Sequence, residues 1–147
     1  MPTIPNAEQD MTIHSQESDD SPQDLNWVRS STGYFYRLIK IDQRPLKEQS
    51  GVFVIWHAGP EPRWVFTGHT DDLATALETA ANNPEIMKFE TQGGLYASWC
   101  LIRKEYQTGV ARFMIDHLKP LIENQTAPES SVVPIPVFPP GSRGPAL

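Results

Sequence analysis

The chain of 147 residues contains very little cysteine. Cys100 is its one thiol, so an intramolecular disulfide is excluded, and a reducing compartment suits the sequence. No apolar run approaches the roughly 20 residues that span a bilayer, and no charged-then-apolar segment marks a secretory signal. We therefore expect a soluble, cytoplasmic protein. Cys100 itself lies beside Trp99 in a predicted strand, where a buried apolar thiol is the expected role.

The sequence also lacks a surplus of basic residues. Its formal net charge is −6, and the first 24 residues carry six acids and no Lys or Arg. Residues 25–126 hold 11 basic and 11 acidic side chains, so the part of the chain predicted to fold has no net charge. Nucleic-acid-binding domains usually carry excess Lys and Arg to neutralise phosphates, which disfavours that class. Residues 1–25, poor in large apolar side chains, are predicted to form a disordered acidic arm.

Hydrophobic patterning in residues 26–126 predicts one small domain. The predicted elements are a strand at 34–41, a hairpin of strands 52–57 and 64–68, a helix at 73–83, a strand at 95–103 and a helix at about 106–123. Thr70, Asp71 and Asp72 are candidate N-caps of the first helix. The order indicates an α/β sandwich in which helices flank a central, mostly antiparallel sheet.

Residues 127–147 form a proline-rich tail, for which we predict an extended conformation. Its segment VVPIPVF is apolar enough to lie along the domain. Two roles remain open for this segment, since it could complete the core of its own domain or dock against a partner.

Several short motifs follow one another along the chain in a recognisable order. Gly51-Val52-Phe53 opens the hairpin, Phe66-Thr67-Gly68 closes it, and the segments TDDLATAL, GGLYASWCLI, GVARFMIDHLKPLI and PIPVFPP follow. This arrangement resembles the GIY-YIG nuclease superfamily, over roughly residues 30–139. PIPVFPP is similar to the end of one bacterial branch. The resemblance implies a small GIY-YIG-like fold.

The same resemblance implies that the nuclease chemistry is lost. In the superfamily, two tyrosine hydroxyls, an arginine, often a histidine or tyrosine, and a metal-binding glutamate build the site. The matching positions here are Phe53, Phe66, Ala76, Ala80 and Ala111. Each replacement keeps an aromatic ring or a good helix former and deletes the reactive atoms. We therefore expect no enzymatic activity, no metal and no cofactor.

These expectations leave two classes of function. The first is a non-catalytic binding module, an accessory or scaffold subunit of a larger protein assembly, with candidate binding residues Trp56, Trp64, Pro134, Pro136 and Phe138. The alternative is a nucleic-acid-binding protein that has lost nuclease activity. His57 and His69 could be imagined as a replacement site, but solvent-exposed histidines at turn ends are the expected state.

Overall fold

The computed structural model describes residues 22–141, and this part of the chain has an α/β fold on a four-stranded antiparallel sheet. The elements are β1 (Tyr36–Arg37), β2 (Gly51–His57), β3 (Arg63–Thr70), α1 (Leu73–Ala81), α2 (Pro84–Met87), β4 (Leu95–Leu101) and α3 (Lys104–Leu118). The strand order is β1-β4-β2-β3. The predicted α/β class and the predicted hairpin are confirmed. Predictions for residues 1–21 and 142–147 lie outside the described residues.

Strand β2 is the centre of the fold, and all seven of its residues are buried. It pairs with β3 on one side and with β4 on the other, so that Phe53 lies opposite both Gly68 and Trp99. A strand covered on both faces needs no polar alternation, which explains the continuous apolar run VFVIW. The register with β3 shifts between Ile55 and Trp56, where a bulge accommodates one extra residue of β3.

The two faces of the sheet carry separate hydrophobic clusters. Phe53 and Ile55 pack in the cluster that contains Leu77 of α1. Val52 packs in the cluster that contains Met114 of α3. Because neighbouring residues of a strand point to opposite faces, this alternation places α1 on one face and α3 on the other.

The predicted first strand, residues 34–41, is wrong over most of its length. Only Tyr36–Arg37 pairs with β4, and Leu38–Lys40 form a turn of 3₁₀-helix. Leu38 is 2 % exposed in the α1-side cluster, whereas Ile39 is 51 % exposed. Burial of Leu38 thus bends the chain out of the sheet, an effect that strand propensity does not register.

The predicted last helix also ends too late. Helix α3 stops at Leu118, and Lys119 adopts a left-handed conformation with φ of 50° ahead of Pro120. The following residues run beside β3, where the Leu121 and Ile122 amides donate to the Trp64 and Val65 carbonyls at 3.1 and 2.9 Å. This pairing covers part of a sheet edge.

The C-terminal tail packs on the domain together with residues 22–25. The Gln23 amide donates to the Pro136 carbonyl at 3.0 Å, and the Phe138 amide donates back to the Gln23 carbonyl at 2.9 Å. Val137 is 2 % exposed and Leu25 is 5 % exposed, both in the α3-side cluster. Residues 22–25, assigned above to the acidic arm, therefore lie against the tail.

None of the helices between residues 22 and 141 combines the length and the apolar character needed to cross a bilayer.

Candidate functional site

Four of the five positions that match the nuclease site lie around one cavity. Phe53 of β2, Phe66 of β3, and Ala76 and Ala80 of α1 line a cavity of about 290 Å³, here called the Phe53 cavity. The hairpin register and the helix that follows it bring these residues together, since β3 leads directly into α1 at Asp72. Asp72 caps that helix by accepting a hydrogen bond from the Thr75 amide at 3.3 Å.

The fifth position, Ala111, does not line the Phe53 cavity. It is fully buried on α3, beside Val110 and close to Met114, which belong to the cluster on the opposite face of the sheet. The structure therefore brings together the two phenylalanines and the two helix alanines but leaves Ala111 apart from them.

The deep wall of the Phe53 cavity is apolar. Phe53, Ala80 and Ile86 are all less than 5 % exposed, and the ring centroids of Phe53 and Phe66 lie 5.9 Å apart at an angle of 39°. A tilted pair of rings leaves faces and edges against which a third aromatic group can pack. The wall offers apolar contact at the positions where the resemblance places hydroxyl and guanidinium groups.

The outer wall is polar, and half of its polar residues come from the segment 123–126, at and just beyond the end of the predicted last helix. The polar side chains around the opening are Thr70, Thr79, Asn83, Glu123, Asn124, Gln125 and Thr126, together with His69. Pro120 was the available signal, because a proline inside a helical pattern indicates that the helix ends before it.

Asn124 attaches this outer wall to the sheet. Its Nδ2 donates to the Thr67 carbonyl at 2.9 Å, and its Oδ1 accepts from the Thr126 amide and hydroxyl at 2.9 and 2.8 Å. The Asn124 amide group lies directly over Gly68, where any Cβ would collide with it. Gly68, part of the matching motif, is thus required here for the close approach of the wall.

His69 contributes a neutral ring to the cavity at neutral pH. Burial lowers its pKa, and the nearby Lys104 lowers it further, while Asp71 and the side chain of Gln107 act in the opposite direction. Since the ordinary pKa of histidine is about 6.5, a lowered value leaves the ring uncharged at pH 7. Glu123 is then the one ionised side chain among the cavity residues.

His57 is buried, so the predicted solvent exposure is wrong for this residue. It is 4 % exposed, its ring stacks on Phe89, and its Nδ1 accepts a hydrogen bond from the Gly59 amide at 3.3 Å. Burial lowers its pKa, and the charge of Arg63 lowers it further. An unprotonated Nδ1 is required to accept that bond, which agrees with the direction of the shift.

The two histidines do not share a site. His57 lies opposite Arg63 at one end of the hairpin, whereas His69 lies opposite Val52 at the other end. The two ends are five residue steps apart along β2, a distance of about 17 Å. Residues 22–141 contain no group of three or more His, Cys, Asp or Glu side chains that could hold a metal ion.

The predicted binding residues differ in their accessibility. Trp56 is fully buried, with its ring edge-on to Phe35 at 5.0 Å, so it cannot contact a partner at the surface. Trp64 is half-buried beside it. In the tail, Pro134 is exposed, Pro136 is half-buried and Phe138 is 40 % exposed.

Two larger cavities have polar groups that are already engaged. One, of about 490 Å³, lies between α3 and residues 119–128, where Arg112 donates to the Pro128 carbonyl and pairs with Asp116. The other, of about 440 Å³, is bordered by Lys104 and Asp71, which form an ion pair at 2.9 Å. Arg112, Lys104 and Asp71 are thus already paired, and neither cavity is lined by any of the five motif-matching positions, so the Phe53 cavity is the stronger candidate site.

Comparisons of the chain with protein-family models, with curated proteins and with solved structures found no match in any of the three. The GIY-YIG likeness therefore rests on the motifs and their order, and it stays a prediction.

Proposed function

We propose that this protein is a non-catalytic binding module with a GIY-YIG-like fold, acting as an accessory or scaffold subunit of a larger protein assembly. The observation that carries this proposal is the composition of the Phe53 cavity. Its deep wall presents phenyl rings and methyl groups where the related nucleases place the atoms that activate water and stabilise charge. A recess of this kind is suited to binding and offers little to phosphodiester cleavage.

The charge pattern supports a protein partner over nucleic acid. Of the 11 basic side chains in residues 25–126, six face a carboxylate within 4.0 Å. Four of these pairs are formed by the exposed side chains of Arg44, Lys88, Arg103 and Lys104. Positive charge that is neutralised locally adds little to phosphate attraction at physiological ionic strength.

The absence of catalysis is tested with purified protein and supercoiled, branched and single-stranded nucleic acids in Mg²⁺ or Mn²⁺. We expect no cleavage, because removing even one oxyanion-stabilising group costs about 10²–10³ in rate. Metal-dependent nicking that follows the protein through purification would disprove the non-catalytic assignment. A Glu123→Gln variant serves as the comparison, since Glu123 is the one ionised cavity residue.

The partner is sought by affinity purification of the tagged full chain from its native host. We expect a protein that remains bound in moderate salt and after nuclease treatment. Gel-shift titration with duplex and single-stranded nucleic acid runs in parallel. Binding to nucleic acid at near-physiological salt, with no protein recovered, would favour the nucleic-acid-binding alternative.

A further inference from the structure

The Phe53 cavity has the size of one large side chain. Its volume is about 290 Å³, just below the range of about 300–1,000 Å³ that is usual for complete small-molecule ligands. One aromatic ring with its Cβ fits within such a volume. A volume at the lower end of the range favours a single inserted group over a larger ligand.

The deep wall selects an aromatic group. The two tilted rings of Phe53 and Phe66 lie opposite small alanine side chains, Ala76 and Ala80, which leave a gap beside helix α1. A flat ring can enter this gap and contact the phenylalanines in an offset or edge-on arrangement. Buried aromatic anchors of this kind commonly dominate the energetics of protein interfaces.

The rim of the cavity favours a ligand that carries a positive charge next to that aromatic group. Glu123 is exposed at the opening, and with His69 uncharged the cavity residues carry one negative charge at neutral pH. A phosphate would be repelled there, and a Lys or Arg beside the inserted ring would be attracted. The exposed rim side chains Thr79, Gln125 and Thr126 can form hydrogen bonds with the backbone of an incoming segment.

We propose that the Phe53 cavity is the recognition site of this module and binds an aromatic side chain of a partner protein that is flanked by basic residues. This inference rests on the proposed function and deepens it, because it names the chemistry of the partner segment. In this inference, the outer wall held by Asn124 forms the side of the cavity that faces the inserted ring.

Short peptides test the inference on the full chain. The probes are Ac-Lys-Trp-Lys-NH₂, Ac-Glu-Trp-Glu-NH₂ and Ac-Lys-Ala-Lys-NH₂, and binding is followed by chemical-shift changes of the isotope-labelled protein. We expect saturable shifts at cavity residues with the basic tryptophan peptide, at least about threefold weaker binding of the acidic one, and no saturation with the alanine peptide. Equal binding of the two basic peptides would overturn the inference, and so would shifts away from the cavity.

Matched variants locate the site. Ala76→Leu fills the cavity and should weaken binding of the basic tryptophan peptide at least about tenfold. Ala81→Leu is its control, because Ala81 is also half-buried at the edge of the α1-side cluster but does not line the cavity. Glu123→Gln should reduce the preference for the basic peptide over the acidic one, while Glu129→Gln, in the same exposed segment, should not. Melting curves confirm folding, and if Ala76→Leu fails to fold, the Glu123 pair decides the test.

Two outcomes separate this inference from the function on which it rests. If the native-host partner binds Ala76→Leu as well as it binds the unaltered protein, the cavity assignment fails and the module function stands. If the peptides bind at the cavity but the host yields no protein partner, the assembly function fails and the site stands. Adenosine monophosphate is the remaining probe. Its saturable binding at the cavity would overturn the inference and indicate a nucleotide, not an aromatic side chain, as the ligand.

Discussion

Substitution of Val137 by alanine tests whether the proline-rich tail belongs to the domain. Val137 is 2 % exposed, although it lies near the end of the described chain. Its side chain packs in the α3-side cluster, whose other buried members are Leu25, Val52, Cys100, Ile102, Val110 and Met114. The change removes two methyl groups and leaves the backbone bridge to Gln23 in place.

The expected loss follows from the buried carbon atoms. Each methyl group contributes about 0.8 kcal/mol by transfer, and the cavity that remains adds to the cost, so we expect a loss of about 2–3 kcal/mol. In a domain of this size, 1 kcal/mol corresponds to about 4 °C in Tm. Val137→Ala should therefore lower Tm by about 8–12 °C.

Val133→Ala provides the control, because it is the same chemical change in the same segment at a residue that is 78 % exposed. It should alter stability by less than about 0.5 kcal/mol, or about 2 °C. Thermal melts by circular dichroism and urea titrations measure both variants. If the two melt at the same temperature, the tail does not complete the core, and its apolar side chains are available to a partner instead.

Three further predictions test other contacts. Gly109→Ala should destabilise the protein although alanine favours helices, because the new Cβ would lie 2.7 Å from Ile135 side-chain atoms; a higher Tm would show that the tail can move away. Deleting residues 1–25 should lower Tm more than deleting residues 1–21, since the longer deletion removes the hydrogen bonds that hold the tail; equal melting temperatures would refute this. His57→Asn should flatten the loss of stability on acidification. Because the pKa of His57 is lowered in the folded state, the unfolded chain binds the proton first as pH falls below about 6.5, which costs up to about 1.4 kcal/mol of folding stability per pH unit. Urea titrations between about pH 7 and pH 5 measure this loss, and parallel curves of stability against pH for the variant and the unaltered protein would contradict the prediction.

The central hairpin and the helix after it could be predicted because their signals are local. The apolar run of β2, the glycine and two prolines of its turn and the acidic N-cap residues of α1 each act within a few positions of the chain. The resemblance to the GIY-YIG superfamily, and not local patterning, identified the positions that line the Phe53 cavity, and the hairpin register with the start of α1 brings them together.

The remaining features depend on contacts between distant parts of the chain. Leu38 leaves the sheet because a buried site is available for it, and His57 is buried because Phe89 covers its ring. Neither partner can be inferred from the neighbouring sequence. Sequence periodicity reports which face of an element is apolar, but it does not report what will cover that face.

The outer wall of the cavity shows this distinction most clearly. Local pattern extended α3 through residues 119–123, yet the chain leaves the helix at Lys119 and pairs with the edge of β3. Asn124 then reaches Thr67 across 57 residues of sequence, over a glycine that leaves room for it. The amides of residues 121 and 122 and the carbonyls of β3 become partners because an uncovered strand edge leaves both sets of polar groups unsatisfied, and that pairing exists only once the sheet has formed.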